Sequence, residues 1–251
     1  MKLLNEEECR TGVGLPFDIQ QKLRSGDFAF ITEMGRQLQL DEQVLCTGNW
    51  MVNLFFIRRS YLNYDRHVVS TAALMLSCKL HNFKRQGKRV YPISFASTYH
   101  KIINNKQSTP QRQPLDDALK TEYLNKFFKA EFKLLKTLEF DLDIDLPTNY
   151  LDEIISKLYM DEKGEDREVF LSMARVMANE SMRSIAPLCV NTLGVAVACV
   201  VLAAVVCNKP RPHELESIQN PDFWWLTVSS ELTLEEITQA VRLINEAITI
   251  K

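Results

Sequence analysis

The chain has 251 residues, 46% hydrophobic and 25% charged, an ordinary globular balance for one or two domains with a real core. Its 30 basic and 32 acidic residues leave a formal charge of -2, so no global field draws it to nucleic acid or anionic lipid, and any such contact has to be local. Glu6-Glu7-Glu8 intrudes before an apolar run can form, which argues against a secretory leader and for an intracellular chain. The six cysteines (Cys9, Cys46, Cys78, Cys189, Cys199, Cys207) show no Cys-x-x-Cys spacing and read as reduced core thiols.

With only eight glycines and apolar residues recurring at three and four, the chain reads as all-α, without strand signals. A first helix is expected after Ser25 as N-cap, with Phe28, Ile31, Met34 and Leu38 on one stripe. A second runs from about Glu42 to Arg58. The third, about Arg66 to Phe83, carries Val68, Val69 and the run Ala72 to Leu76; so broad an apolar stripe marks a central helix. A short helix over Phe95 to Asn104 and a polar loop through Pro110 lead to a fifth over Asp117 to Glu139.

Pro147 interrupts this pattern and is suited to the first turn of a new helix. Helices are then expected over Asn149 to Met160, Asp166 to Arg183 and Val190 to Cys207, a short piece over Asp222 to Leu226, and a last helix over Leu232 to Ile248. Leu193 to Cys207 is wholly apolar but shorter than the ~20 residues of a membrane span, so it reads as a second central helix, packed on every side. Placing Arg59-Ser60 over Arg183-Ser184 carries His67 to Asn191 and Ala72 to Ala196. The two apolar helices then become the third members of two five-helix sets, an internal repeat.

Two five-helix domains around buried third helices resemble the paired cyclin boxes of the cyclin family. Ala72-Ala73-Leu74-Met75-Leu76-Ser77-Cys78-Lys79 is similar to that family's third-helix motif. Glu131, upstream of Phe140-Asp141-Leu142, matches its fifth-helix glutamate. The resemblance spans Leu23 to Ile248. It implies an all-α fold with an extension over residues 1–22, a kinase-binding cyclin box over 23–143 and a second box over 144–251.

Three segments are similar to transcriptional cyclins of the cyclin T and cyclin K type: Phe28-Ala29-Phe30-Ile31 with Met34-Gly35, Leu142 to Pro147, and Asp222-Phe223-Trp224-Trp225. The tryptophans are expected to wedge helices of the second domain. Lys79 and Glu131 match the pair with which cyclins hold the kinase backbone, and Leu80, Phe83, Leu135 and Leu138 are the apolar candidates around them. Two features depart from the family. His81 and Asn82 stand where two glutamates are usual, and Leu23 to Asp27 replaces the apolar substrate-docking run of cell-cycle cyclins. An aspartate in an apolar groove is costly, so that docking route is expected to be absent.

No Gly-rich phosphate loop or His-Glu-x-x-His helix is present, and His67, His81, His100 and His213 lack metal-ligand spacing. Lys84, Arg85, Lys88 and Arg89 form a candidate basic interaction patch, read first as a solvated loop and second as an import signal or an acidic-partner or RNA site. What the resemblance implies is a nuclear, non-enzymatic subunit that binds and activates a cyclin-dependent kinase acting on the RNA polymerase II tail. It implies no cofactor on this chain, ATP and Mg²⁺ sitting on the kinase, and contact with the elongation machinery, but no membrane or direct nucleic-acid role. The competing readings are a TFIIB-like general transcription factor binding DNA, disfavoured by the near-neutral charge, and a kinase scaffold without activation. The chain stops at Lys251, without the long extensions common in cyclin T and cyclin K, so recruitment functions housed there are expected to lie elsewhere.

Overall fold

The computed structural model describes residues 3–11, 14–106, 114–215, 218 and 220–249. The chain divides into two compact units: Arg10–Ile144, and residues 145–249 together with 3–9.

The first unit takes the end of α1 (Glu6–Thr11), then α2 (Phe17–Leu38), α3 (Glu42–Arg58) and α4 (Arg66–Leu80). A hairpin of β1 (Lys84–Arg85) and β2 (Lys88–Arg89) leads to α5 (Pro92–Lys106) and α6 (Asp117–Thr137). Carboxylates start three of these helices by accepting from orphan N–H groups of the first turn: Asp41 from Val44, Asp65 from His67 and Val68, and Asp116 from Leu119. The expected central helix is α4. Every residue from Val69 to Cys78 is buried, and α2, α3, α5 and α6 pack around it. Gly48 of α3 lets it close on α4, because a Cβ there would stand 2.9 Å from Leu74 Cδ2.

α2 starts at Phe17, directly after Pro16, so Ser25 lies inside the helix and is not its cap. Ser25-Gly26-Asp27 looks like a break in sequence, but Asp27 pairs with the half-buried Arg66 and Gly26 makes room for its guanidinium. Arg66 Nη1 donates to Asp27 Oδ1 and to the Leu23 carbonyl, both at 3.1 Å, and Tyr61 donates to Asp27 at 3.1 Å. A Cβ on Gly26 would meet that guanidinium at 2.5 Å. The expected stripe of Phe28, Ile31, Met34 and Leu38 is buried.

Two helices end earlier than the apolar pattern suggests. Asn82 takes a left-handed φ of 47° after α4, with its N–H on the Lys79 carbonyl and the Phe83 N–H on that of Cys78; this is a Schellman cap, which stops the helix at Leu80. α6 stops at Thr137, whose carbonyl accepts from Arg58 at 2.6 Å, and Glu139 and Phe140 then turn with positive φ. The basic run expected as a loop without strand is instead a two-stranded hairpin, pairing Lys84 with Arg89 and Arg85 with Lys88. Gln86 and Gly87, at φ 49° and 77°, form the two-residue turn with both φ positive that matches strand twist.

In the second unit, Pro147 opens a 3₁₀ turn, Pro147–Asn149, ahead of α7 (Leu151–Leu158), α8 (Gly164–Ser181), the short α9 (Ala186–Cys189) and α10 (Thr192–Val206). Further 3₁₀ turns, Pro212–Glu214 and Pro221–Thr227, precede α11 (Leu234–Thr249). α10 is central, packed by α7, α8, α9 and α11. Burial is continuous only over Gly194–Val200, while Val205 and Val206 in the last turn are half exposed, so it is not packed on every side. Asn191 caps α10 as Asp65 caps α4, so matching the two caps shifts the repeat by two positions from the pairing of Asn191 with His67. Trp224 is buried in its 3₁₀ turn.

Residues 3–9 complete this unit. The Leu4 N–H donates to the Leu188 carbonyl at 2.9 Å, Glu6 bonds Arg242 at 2.7 Å and Gln239 at 2.8 Å, and Cys9 is buried with its Sγ 3.2 Å from Cys189 Sγ. No disulfide forms among the six cysteines. Among the described residues no helix is long and apolar enough to cross a membrane.

Candidate functional site

Packing of α4 against α6 brings together two residues far apart in sequence. Lys79, in the last turn of α4, stretches across to Glu131 in the middle of α6, with Nζ 2.5 Å from Oε1. Their settings differ: the Lys79 side chain is 53% exposed and that of Glu131 10%. A lysine there also complements the negative C-terminal end of the α4 dipole. Oε2 of Glu131 is buried and makes no hydrogen bond, so the carboxylate keeps an unsatisfied acceptor beneath the half-exposed Lys79.

The flanks of this pair are apolar. Phe128 and Phe132, four apart and so on one face of α6, are 45% and 53% exposed. Lys79 Nζ lies 6.0 Å from the Phe128 ring centre, and Lys136 Nζ 4.5 Å from that of Phe132. Leu80 is exposed, and Phe83 and Leu135 are half-buried. Leu138, a kinase-binding candidate from sequence whose ordinary reading is core, is fully buried and does not reach the surface, because Leu134 and Leu138 share the inward stripe of the helix. Phe128 and Phe132 escaped sequence reasoning. The signal for them is the doublet Phe127-Phe128, whose members cannot both face inward when Phe127 aligns with Leu134.

At the edge after Lys79, the two residues that replace the family's glutamates have local tasks. Asn82 supplies the left-handed cap of α4. His81 turns inward, its Nε2 2.8 Å from Thr47 Oγ1, and burial holds its pKa below the ordinary value against a smaller opposing pull from Asp41. Burial pushes the neighbouring Cys78 thiol up to about 12, which removes it as a nucleophile at neutral pH. Between the end of α4, the hairpin and the start of α5 lies a cavity of about 160 Å³. Met75, Phe83, Val90 and Phe95 form its apolar part, with Lys79 and Arg89 among its lining.

Within Leu23–Asp27, in place of the apolar docking run, Arg24 and Asp27 are buried polar side chains. Arg24 donates to Gln20 at 3.1 Å, and Asp27 pairs with Arg66. Desolvation pushes the Asp27 carboxyl up to about 7 even against the pull of Arg66 and Tyr61. The histidines do not converge: His67 packs on Phe30, His100 bonds Tyr123, and His213 lies near Glu214. Among the described residues no cluster of His, Cys, Asp and Glu could hold a metal ion.

Comparison with known proteins agrees with the geometry. The family model described as "Cyclin, N-terminal domain" matches residues 10–143. Similar proteins include Cyclin-T1-3 of Oryza sativa subsp. japonica, 22% identical over 89% of this chain and 43% of its own length. Cyclin-L2 of Rattus norvegicus is 24% identical over 89% of this chain and 40% of its own, and Cyclin pch1 of Schizosaccharomyces pombe is 27% identical over 76% and 52%. The chain thus spans about two-fifths to half the length of these relatives. Among solved structures, a chain of the yeast RNA Pol II CTD kinase CTDK-1 complex superposes with a TM-score of 0.71 at 13% identity, covering 98% of this chain and 72% of that one. A viral cyclin from herpesvirus saimiri gives 0.60 at 12% identity, covering 91% and 85%. With the family model covering more than half of the sequence and the helices in the expected order, the chain belongs to the cyclin family.

Proposed function

We propose that this chain is the regulatory, non-catalytic subunit of a heterodimer with a cyclin-dependent protein kinase, which it binds through the end of α4 and the outer face of α6. The observation that carries the reading is the Lys79–Glu131 pair: a half-exposed ammonium and a carboxylate with an unused oxygen, flanked by the exposed rings of Phe128 and Phe132. Charged anchors of this kind bond main-chain groups of a partner, and the rings supply apolar area where interfaces draw their energy. The first unit contains the kinase-binding cyclin box assigned to 23–143, and 144–251 is the second box.

Activation works by differential binding. A rigid α4–α6 surface that fits only the active position of the kinase C-helix favours the state in which the kinase's own Lys–Glu pair forms. Moving that equilibrium from 1:99 to 99:1 takes about 5.5 kcal/mol of preference, within reach of an interface of roughly 1,600 Å² with good central anchors. ATP and Mg²⁺ belong to the kinase.

The kinase is of the transcriptional branch, acting in the nucleus on the RNA polymerase II tail and working with the elongation machinery. The relatives named cyclin T and cyclin L and the likeness to a CTD kinase complex support this part.

The test is affinity capture from native cells of the wild type beside Lys79→Glu/Glu131→Lys, with kinase activity assayed on a polymerase-tail peptide and on a cell-cycle substrate. A kinase should accompany the wild type alone and prefer the tail peptide. Its absence from both samples would remove the activator function, and its presence in both would discard the anchors.

A further inference from the structure

The β1–β2 hairpin holds its four cations in an arrangement that works against its own stability. Lys84 stands opposite Arg89, and Arg85 opposite Lys88, and like charges directly across a strand pair repel. All four residues are exposed, and among the described residues none pairs with a carboxylate. The turn is built for order, with Gln86 and Gly87 in the left-handed region that a tight hairpin demands. An ordered fork of uncompensated charge is what a bound anion would relax.

Its two faces are not equivalent. Arg89 lines the cavity at the foot of the hairpin. Lys84, its cross-strand partner, projects to the same side of the pleat, while Arg85 and Lys88 project to the other. Lys79, itself paired with Glu131, is the other cation of the lining, whose apolar part includes Met75, Phe83, Val90 and Phe95, and no acid is among the lining residues. About 160 Å³ is room for one large side chain. His81, turned in on Thr47, and the uncharged Asn82 leave no negative group after Lys79 to repel an acidic ligand.

We propose that the hairpin and this cavity receive an acidic peptide segment with one apolar anchor residue, presented by the partner kinase. The anchor fills the cavity while flanking carboxylates meet Lys84 and Arg89. The apolar part favours a peptide over a nucleic-acid backbone, which would need charge and stacking surface and no apolar recess. Lys79 belongs to both surfaces, which makes this site continuous with the kinase contact. The proposal rests on the kinase reading for the source of the peptide, not for its chemistry.

The purified chain is titrated with a fluorescein-labelled peptide of alternating glutamate and aspartate around a central phenylalanine. Controls are the same peptide with alanine at its centre, one with lysines for the acids, and a short oligothymidylate. Saturable binding of the phenylalanine peptide is expected, weakened about tenfold by Lys84→Glu/Arg89→Glu and by raised salt. The Met75 methyl NMR signal should shift with that peptide and not with its alanine counterpart, a readout independent of the variant's folding. Equal affinity for the alanine peptide, tighter binding of the oligothymidylate, or no saturation at millimolar peptide would overturn the assignment.

Capture of the kinase by Lys84→Glu/Arg89→Glu tests the source. Reduced capture supports the kinase as presenter. Unchanged capture overturns it, yet leaves the kinase reading standing, because that reading is decided separately by whether the wild type captures a kinase at all.

Discussion

Glu131 divides its carboxylate between two uses, and substitution separates them. One oxygen holds Lys79 in a pair half open to water, where a salt bridge adds only about 0–1 kcal/mol to stability; the other is buried without a bond. Glu131→Gln is therefore expected to shift the urea midpoint by less than the equivalent of about 1 kcal/mol while kinase capture falls by an order of magnitude or more. Asp27 behaves differently. Its folded pKa of about 7 lies above the unfolded carboxylate value of ~3.9, so the native state binds the proton more tightly. The resulting stability is full below about pH 4 and drains away as pH rises through 7, by up to ~4 kcal/mol. Asp27→Asn should flatten the fall in urea midpoint between pH 5 and pH 8. His81 has the opposite sign: burial favours its neutral form, so its contribution is full above the ordinary imidazole value and is lost as pH falls below it. At this scale the sequence announces Lys79 and Glu131, since charge at those positions follows a family motif. Leu138 and the two phenylalanines were decided by which side of α6 faces α4, a matter of helix phase that residue type alone does not settle.

Elements were legible wherever apolar period and cap agreed, as over Glu42–Arg58 and at the Asp117 start of α6. Legibility failed where a polar group was spent inside. Ser25-Gly26-Asp27 carries every local sign of a helix start, but Arg66 reaches these residues from the far end of the α3–α4 connection, and its role is visible only once α4 is in place. The hairpin was missed for a related reason. Two-residue strands have no period, and their sole local sign is Gln86-Gly87 as a turn pair. Close approach between helices is likewise hidden in single glycines. A Cβ on Gly35 would fall 2.3 Å from Leu45 Cδ2, so Gly35→Ala is expected to cost about 1–3 kcal/mol by overpacking α2 against α3, read as a lowered denaturant midpoint. Asp41→Ala, which removes the α3 cap, should cost about 1 kcal/mol in the same measurement.

On the scale of the whole chain, the two-unit plan was legible from the paired apolar helices, but the placement of the first residues was not. A leading segment ahead of the first box reads as an appendage, yet residues 3–9 belong to the second unit. Cys9 is its buried member, and a charge placed there has to be desolvated. Cys9→Asp should therefore destabilise by several kcal/mol, with hydrogen exchange rising in α9 and α11 and unchanged in α4. The Glu6–Arg242 bond joins residues 236 positions apart, and this orders events on the ribosome. The first unit can close as soon as its own last helix emerges, whereas the second has to wait with one of its pieces already synthesised and undocked. Until α11 leaves the exit tunnel, residues 3–9 lack the Arg242 partner that holds Glu6 and stay open to chaperones and to proteases.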